Sequence, residues 1–302
     1  MRARTKKLAL TEGILAGLLF GTAAIFIRGL PKLDAFAIAF WRLIIACLAL
    51  AVILLMFKKN FHLRLLQRNL KDLAVLSFFL GLHFIFFVSA IKDTTILNAT
   101  VLVNTTPIFS AVVSNFFYKI KPSKLAILGL TLSFVGVCVI SYAETVNANH
   151  DLNQTSYSPS LKGDLEAVLA ALAETVYLNY GRKVRKEADL LSLMLPLYFF
   201  SAFVVGIISV PASRNIATLP DNTLSIASLI GLGVLPTATA HTLYFSSLSN
   251  LKSFETATMA LLEPVGATLL GISLFQEIPA PLFAVGATLI LVGVAFVITN
   301  RS

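Results

Sequence analysis

The chain has 302 residues, of which 57% are hydrophobic and only 13% are charged, and its mean hydropathy is +0.85. Soluble domains carry about 25% charged residues, so this chain has too little polar surface to fold as an ordinary soluble protein. Its net charge of +9 raises nucleic acid as a partner, but the positions of the basic residues, given below, argue against one. The composition therefore indicates an integral membrane protein.

The N-terminus begins with basic residues, and an apolar run follows that reaches about residue 28. This run is longer than the apolar part of a cleaved signal peptide, so we expect a first membrane anchor. A helix needs about 20 apolar residues to cross a bilayer. Ten segments meet this length: roughly 8–28, 34–57, 72–91, 95–117, 123–143, 162–182, 189–210, 224–248, 254–275 and 279–299.

The longest connection, 144–161, is rich in Asn, Ser and Thr and is typical of a linker between two halves. We therefore predict an all-α membrane protein with a first unit at 8–143 and a second at 162–299. Other connections are short, which favours antiparallel neighbouring helices.

The Lys and Arg residues are distributed unevenly between the two sides of this arrangement. Apart from Arg42, 18 of the 24 fall on the side of the N-terminus, and only five fall on the other. Loops rich in Lys and Arg stay in the cytoplasm, so both termini are expected there. The five on the opposite side are Arg28, Lys32, Lys92, Lys162 and Arg214.

Part of the first half recurs 157 positions later in the second half. Because each half has five spans, an odd number, the second copy must enter the membrane in the opposite direction. Substrate sites of transporters form between such inverted repeats. The matching residues are Pro107, Pro122, Leu125, Gly129, Thr131, Leu132, Val135, Gly136 and Val137, with Pro264, Pro279, Leu282, Gly286, Thr288, Leu289, Val292, Gly293 and Val294.

Several motifs occur in the two halves: an aromatic–Gly step in the first span, an Arg in the second, the Pro and Gly pair of each half, and an acidic residue after the ninth span. These motifs are Phe20-Gly21, Trp41-Arg42, Pro107 with Gly129 and Gly136, Leu261-Leu262-Glu263-Pro264 with Gly286 and Gly293, and Glu277. In these motifs the chain resembles the EamA family of the drug/metabolite transporter superfamily, and the resemblance extends from about residue 8 to 299.

The resemblance implies ten helices around a central cavity, lined mainly by spans 1, 3, 4, 6, 8 and 9. It also implies transport of small metabolites such as amino acids, often outward. The first half lacks the acidic counterpart of Glu277, because Lys119-Ile120 stands there. The sixth span carries Glu174, where members commonly have an aromatic or small residue.

Glu174 is an acidic residue near the middle of the sixth span. Charged residues are costly in a membrane, so they usually face a partner or a wet cavity. Tyr177 lies three residues later on the same face, and the two together suit a cationic or amino substrate, or a proton. The alternative is a structural ion pair between Glu174 and Arg42.

His83 and His241 occupy nearly matching positions of spans three and eight. We expect them to face each other across the cavity, where protonation near neutral pH provides a coupling site. Phe20 and Tyr244 are predicted to contact the substrate beside them. A packed aromatic layer is the alternative.

Pro107 and Pro264 lie near the middle of spans four and nine. Each removes a backbone hydrogen bond and kinks its helix, so the pair is predicted to form hinges, although membrane helices also tolerate proline for structural reasons. Asn104 and Glu263 precede the two prolines. They are predicted to line the cavity or to satisfy the freed backbone.

Arg42 lies about eight residues inside the second span. It can extend toward the outer interface, neutralise Glu174 or Glu263, or contact the substrate directly. The paired glycines of spans five and ten are expected to pack helices closely, either inside the chain or at a dimer contact.

The sequence favours a secondary transporter that works by rocking of its halves. No Walker-type nucleotide loop occurs, so a proton or substrate gradient is the expected energy source. A polytopic membrane enzyme is a weaker alternative, because no Asp or His cluster stands at a membrane face, and a pore is another.

No cofactor or metal is expected. The expected partners are a small-molecule substrate, either an amino acid or a nucleoside-like metabolite such as S-adenosylmethionine, the lipid of the cytoplasmic membrane, and a second copy of the chain as an open alternative.

Overall fold

The computed structural model describes residues 5–56, 70–148, 160–187, 190–213, 215–275 and 281–299. All regular secondary structure in these ranges is helical, as predicted. Glu277 and residues 149–159 of the predicted linker lie outside them, as do the basic residues at 57–69. The helices of the first half are α1 (Lys6–Phe20), α2 (Ala23–Arg28), α3 (Ala35–Met56), α4 (Leu70–Asp93), α5 (Ile96–Val103), α6 (Thr106–Phe116) and α7 (Lys124–Ala148).

The second half contains one segment of π-helix among its α-helices. This segment, Gly233–His241, carries Pro236 and joins two α-helices into one continuous element. The helices of this half are α8 (Leu161–Glu187), α9 (Leu190–Ala212), α10 (Thr223–Leu232), α11 (Thr242–Ser247), α12 (Ser253–Ala260), α13 (Glu263–Phe275) and α14 (Pro281–Thr299).

Among the described residues, nine helical stretches are long and apolar enough to cross a membrane. Four of them combine helices that are separated only by a short break or by the π-segment. The nine are Lys6–Arg28, Ala35–Met56, Leu70–Asp93, Ile96–Phe116, Lys124–Ala143, Leu190–Ala212, Thr223–Ser247, Ser253–Ser273 and Pro281–Thr299.

The predicted sixth span, 162–182, is part of α8, which has 27 residues but is more polar than the other nine stretches. Its alanines Ala167, Ala170 and Ala171 are fully buried, and their small side chains allow α4 to pack along it. The polar residues Glu174, Thr175 and Asn179 of α8 are buried as well, so they face other helices.

Two helical stretches are interrupted at corresponding positions. Helices α5 and α12 each have eight residues and end at Val103 and Ala260, and α6 and α13 begin three residues later. All these bounds in the second half lie 157 positions after those in the first. The start of α14 follows the start of α7 by the same interval.

Helices α7 and α14 pack against each other through their glycines. A Cβ atom on Gly129 would lie 2.5 Å from the carbonyl oxygen of Gly293, and one on Gly136 would lie 2.6 Å from that of Gly286. The earlier glycine of one helix faces the later glycine of the other, so the two helices run antiparallel. The glycine faces are thus used inside the chain, the first of the two predicted alternatives.

Candidate functional site

A narrow cavity lies at the centre of the bundle. It has about 30 Å³ of space for the centres of water molecules, which is enough for one or two waters. The cavity is therefore closed to a metabolite in this conformation. Its lining consists of Phe20, Ala23, Arg42, His83, Phe84, Phe87, Val103, Asn104, Thr106, Glu174, His241, Ala260 and Glu263.

Several lining residues are held at the ends of broken helices. Phe20 is the last residue of α1, Asn104 follows the end of α5, and Glu263 opens α13. A carboxylate in the first turn of a helix is favoured by the free N–H groups there. The breaks in these helices thus bring side chains and helix ends to one place.

Glu174 is buried at 4% exposure on the α8 side of the cavity. Thr106 Oγ1 lies 3.1 Å from its Oε2 atom, and His83 Nδ1 lies 4.0 Å from the same oxygen. His83 Nδ1 is also 3.1 Å from the carbonyl oxygen of Ala170. A carbonyl only accepts, so Nδ1 carries the hydrogen and the Nε2 atom of the neutral ring accepts.

The His83 and His241 rings meet edge to face, with their centroids 5.8 Å apart. His241 also lies 4.8 Å from the rings of both Phe20 and Phe84. Among the described residues its Nδ1 atom has no hydrogen-bond partner although it is buried. The sequence analysis gave two alternatives, a pair of facing histidines and a packed aromatic layer, and the structure contains both.

Arg42 crosses toward the centre of the bundle and is 1% exposed. Its Nε atom donates to Thr237 Oγ1 over 3.0 Å, and its guanidinium carbon lies 4.1 Å from the centre of the Phe84 ring. Of the three alternatives for Arg42, extension toward the outer interface is excluded, because Thr237 and Phe84 hold it inside. Within the described part of the chain, no ion pair joins it to Glu174 or Glu263.

The π-segment explains this position of Arg42. Its Thr237 hydroxyl accepts from Arg42 and donates to the Leu232 carbonyl, while Tyr198 donates to the Thr237 carbonyl over 2.8 Å. Single π-helical turns occur frequently at functional sites. Here the segment ends at His241, so one local irregularity places two lining side chains.

Six of the predicted binding residues line the cavity, and two do not. Tyr177 packs against Phe245 with ring centroids 5.4 Å apart, and Tyr244 lies behind Phe20 at 5.2 Å. The six that line it are Phe20, His83, Asn104, Glu174, His241 and Glu263. Their role in binding remains a prediction.

Pro107 and Pro264 lie one residue inside α6 and α13, just after the breaks. Pro107 cannot donate to the Val103 carbonyl four residues earlier, and the Thr106 hydroxyl donates to that oxygen instead, over 2.8 Å. Thr106 is therefore a lining residue that the sequence analysis missed. Its position before a mid-span proline was the available signal.

A ladder of buried polar side chains continues from the cavity along the contact between α6 and α8. Ser114 donates to Asn179 Oδ1 over 2.7 Å, and Asn179 Nδ2 donates to Ser110 over 2.9 Å. Asn179 also donates to the Thr175 carbonyl. These bonds hold α6 against α8 on the side of the bundle that faces the N-terminus.

A wider cavity of about 670 Å³ lies at the opposite end of the bundle. Its walls carry charged side chains of both signs, and Lys162 Nζ lies 2.7 Å from Asp93 Oδ2 and 3.7 Å from Glu166 Oε1. In the described ranges, no group of three or more His, Cys, Asp or Glu side chains could hold a metal ion. The charged residues of this vestibule are Lys32, Asp34, Lys92, Asp93, Lys162 and Glu166.

The sequence profile of the EamA-like transporter family matches residues 8–142 and 161–299. The chain belongs to this family. Among curated relatives, an uncharacterized transporter of Archaeoglobus fulgidus is 28% identical over 95% of this chain and 94% of its own. The uncharacterized transporter YdfC of Bacillus subtilis is 27% identical over 98% and 92%.

A solved crystal structure has the same fold, with a TM-score of 0.77 over 96% of both chains and 16% sequence identity. The resemblance to the EamA family is thus confirmed, and the chain is a multi-pass membrane protein of a transporter family.

Proposed function

We propose that this protein is a secondary transporter that moves a small polar metabolite, such as an amino acid or a related compound, across the cytoplasmic membrane by alternating access. The observation that carries the proposal is the central cavity. Arg42, Glu174 and Glu263 line it together with two histidines, and Glu263 opens a helix at a break. Charged groups at mid-membrane are costly and generally mark a substrate or ion pathway.

The proposed architecture is ten spans in two inverted repeats. Helix bounds recur after 157 residues, and α7 and α14, which form the fifth span of each proposed repeat, run antiparallel at their glycine contact. Parallel repeats would place equivalent helices in the same direction. We count α8 as the sixth span because its 27 residues extend about 40 Å, and because its Glu174 and Asn179 side chains are buried.

The proposed mechanism requires the central cavity to open on alternate sides. The α6–α8 ladder holds the N-terminal side closed, while the vestibule provides an entrance at the opposite end. The breaks before Pro107 and Pro264 are natural hinge positions, because few backbone hydrogen bonds cross them.

We propose that protons or a second substrate drive transport. His83 lies beside Glu174 and His241, so a proton taken up at this cluster changes the charge that faces the substrate. A nucleoside-like substrate such as S-adenosylmethionine is the second candidate. The aromatic layer of Phe20, Phe84 and Phe87 favours it, because a base can stack there.

The test is counterflow in proteoliposomes with labelled amino acids, amines and S-adenosylmethionine, using wild type, Glu174→Gln and His83→Ala. We expect both variants to lose transport, while Asp221→Asn, which removes an exposed carboxylate, retains it. If both site variants transport like wild type at every pH, the site assignment is wrong. Uptake that ignores an imposed pH gradient would exclude proton coupling.

The proposed orientation has its own test in a variant that lacks Cys47 and Cys138. A single cysteine is introduced at Leu219 or at Lys121, and intact cells are treated with a membrane-impermeant maleimide. We expect labelling of Leu219→Cys only. Labelling of Lys121→Cys in its place would reverse the orientation and move both termini outside.

A further inference from the structure

Arg42 is the most deeply buried cation of the cavity, and its hydrogen-bonding capacity is only partly used. Thr237 accepts from Nε and Phe84 covers one face of the guanidinium. Nη1 is buried and has no partner among the described residues. A buried charge without a matching partner is costly, so a purely structural arginine would be expected to have these donors satisfied.

A second donor in the same cavity has the same deficiency. Asn104 is 2% exposed and lines the cavity, and its Nδ2 amide group has no partner within the described ranges. Two buried donors that share a cavity and lack acceptors indicate an acceptor that belongs to another molecule. An oxyanion supplies several acceptor atoms, and its negative charge balances the positive charge of Arg42.

We infer that Arg42 is the oxyanion-binding residue of the central cavity and that Asn104 assists it, so the compound bound there carries a carboxylate or a comparable oxyanion. That this compound is the transported substrate rests on the proposed function. Guanidinium groups bind carboxylates through two parallel hydrogen bonds. The bond to Thr237 fixes the Nε edge of Arg42, which leaves the terminal nitrogens for the ligand.

The same chemistry could come from an organic acid or from an inorganic ion. The cavity also contains Phe84, Phe87 and Phe20, and an apolar wall of this kind favours an organic carboxylate. Inorganic phosphate and chloride therefore serve as separate arms of the test.

The experiment measures binding to the purified full chain by thermal unfolding. The probes are the 20 proteinogenic amino acids, each beside its carboxamide, together with benzoate, benzamide, phosphate and chloride at constant ionic strength. We expect at least one carboxylate to raise the unfolding temperature. The apparent affinity of the corresponding amide, obtained from the same measurement, should be weaker by at least about tenfold.

Arg42→Met keeps an unbranched apolar stem and removes the guanidinium charge, and it should weaken binding of that carboxylate by about tenfold or more. Arg42→Lys should have an intermediate effect. Lys124→Gln, which removes an exposed cation at the start of α7, is the matched control and should bind like wild type. If Arg42→Met does not fold, comparing the binding of each acid and its amide to the wild-type protein still tests whether the site recognises a carboxylate.

The inference is overturned if the amides bind as well as the acids, if Arg42→Met retains wild-type affinity, or if no carboxylate has an effect. Stabilisation by phosphate or chloride alone would overturn the organic assignment. Binding of a carboxylate through Arg42 without flux in proteoliposomes would instead refute the proposed transport and leave the oxyanion site in place.

Discussion

Gly136 and Gly286 meet backbone to backbone, so that a Cβ atom on either one would lie 2.6–2.7 Å from the carbonyl oxygen of the other. These two residues belong to α7 and α14, and with Gly129 and Gly293 they bring the two helices into direct contact. Without a hydrophobic driving force in lipid, close packing of this kind is a main source of helix association.

We predict that Gly136→Leu separates α7 from α14 and lowers the free energy of unfolding by about 1–3 kcal/mol, because the added side chain would overlap the backbone of α14. Thermal unfolding of the purified protein measures the effect. Val135→Leu is the matched control, since Val135 is the neighbouring residue and is 44% exposed. Equal stability of the two variants would contradict this packing.

Asn179→Leu should destabilise the contact between α6 and α8. It leaves the Ser110 and Ser114 hydroxyls without their buried partner. The free energy of unfolding should fall by between about 0.6 kcal/mol, the average for an interhelical hydrogen bond in a membrane, and about 3 kcal/mol, the cost of buried polar groups without partners. Thr131→Val is the comparison, because the exposed Thr131 donates only within its own helix. An unfolding temperature as high as that of Thr131→Val would show that the ladder adds no stability.

Pro107→Ala and Pro264→Ala restore the missing N–H groups and allow each broken stretch to become a continuous helix. We expect both variants to fold and to transport more slowly, by about tenfold if straightening adds about 1.4 kcal/mol to the barrier. Initial rates in proteoliposomes test this. Pro196→Ala, inside α9 and away from a break, should retain its rate. Unchanged rates for the first two would remove the hinge role.

The ion pair of Lys32 and Asp221 gives a pH dependence outside the membrane. The atoms lie 2.7 Å apart, and hydrogen bonding from Lys32 lowers the pKa of Asp221 below its ordinary value. The stability that the pair contributes is therefore present above the ordinary carboxyl pKa of about 4 and is lost as the pH falls through the lowered pKa of Asp221.

Asp221→Asn should accordingly lower the unfolding temperature slightly at pH 7 and low salt, because exposed pairs contribute little. The difference should shrink as the pH falls below about 4, and also at high salt. Unfolding measured under these three conditions checks the sign. A difference that grows toward low pH would contradict the pairing.

The helical class, the family and six of the thirteen residues that line the cavity could be predicted from the sequence. Buried charged residues such as Glu174 and Glu263 have few acceptable places in a membrane protein, so their inward position follows from chemistry. The repeat similarly predicted matched helix breaks, since Pro107 and Pro264 remove the same backbone hydrogen bond in each half.

The tertiary structure alone decided which neighbours of these residues reach the cavity. Tyr177 follows Glu174 by three residues, about 4.5 Å along α8, and at that depth Phe245 covers it. The inward position of Arg42 depends on the π-segment and Thr237, for which the sequence carries no periodic signal.

The physical reason for this division is that most of the chain is surrounded by lipid and not by water. In water, alternation of polar and apolar residues distinguishes the outer face of a helix from the inner one. In lipid both faces are apolar, so the sequence of this protein determined which segments are helices and which polar residues must turn inward. The packing of the helices decided where the apolar and aromatic residues face, and thereby the shape of the cavity.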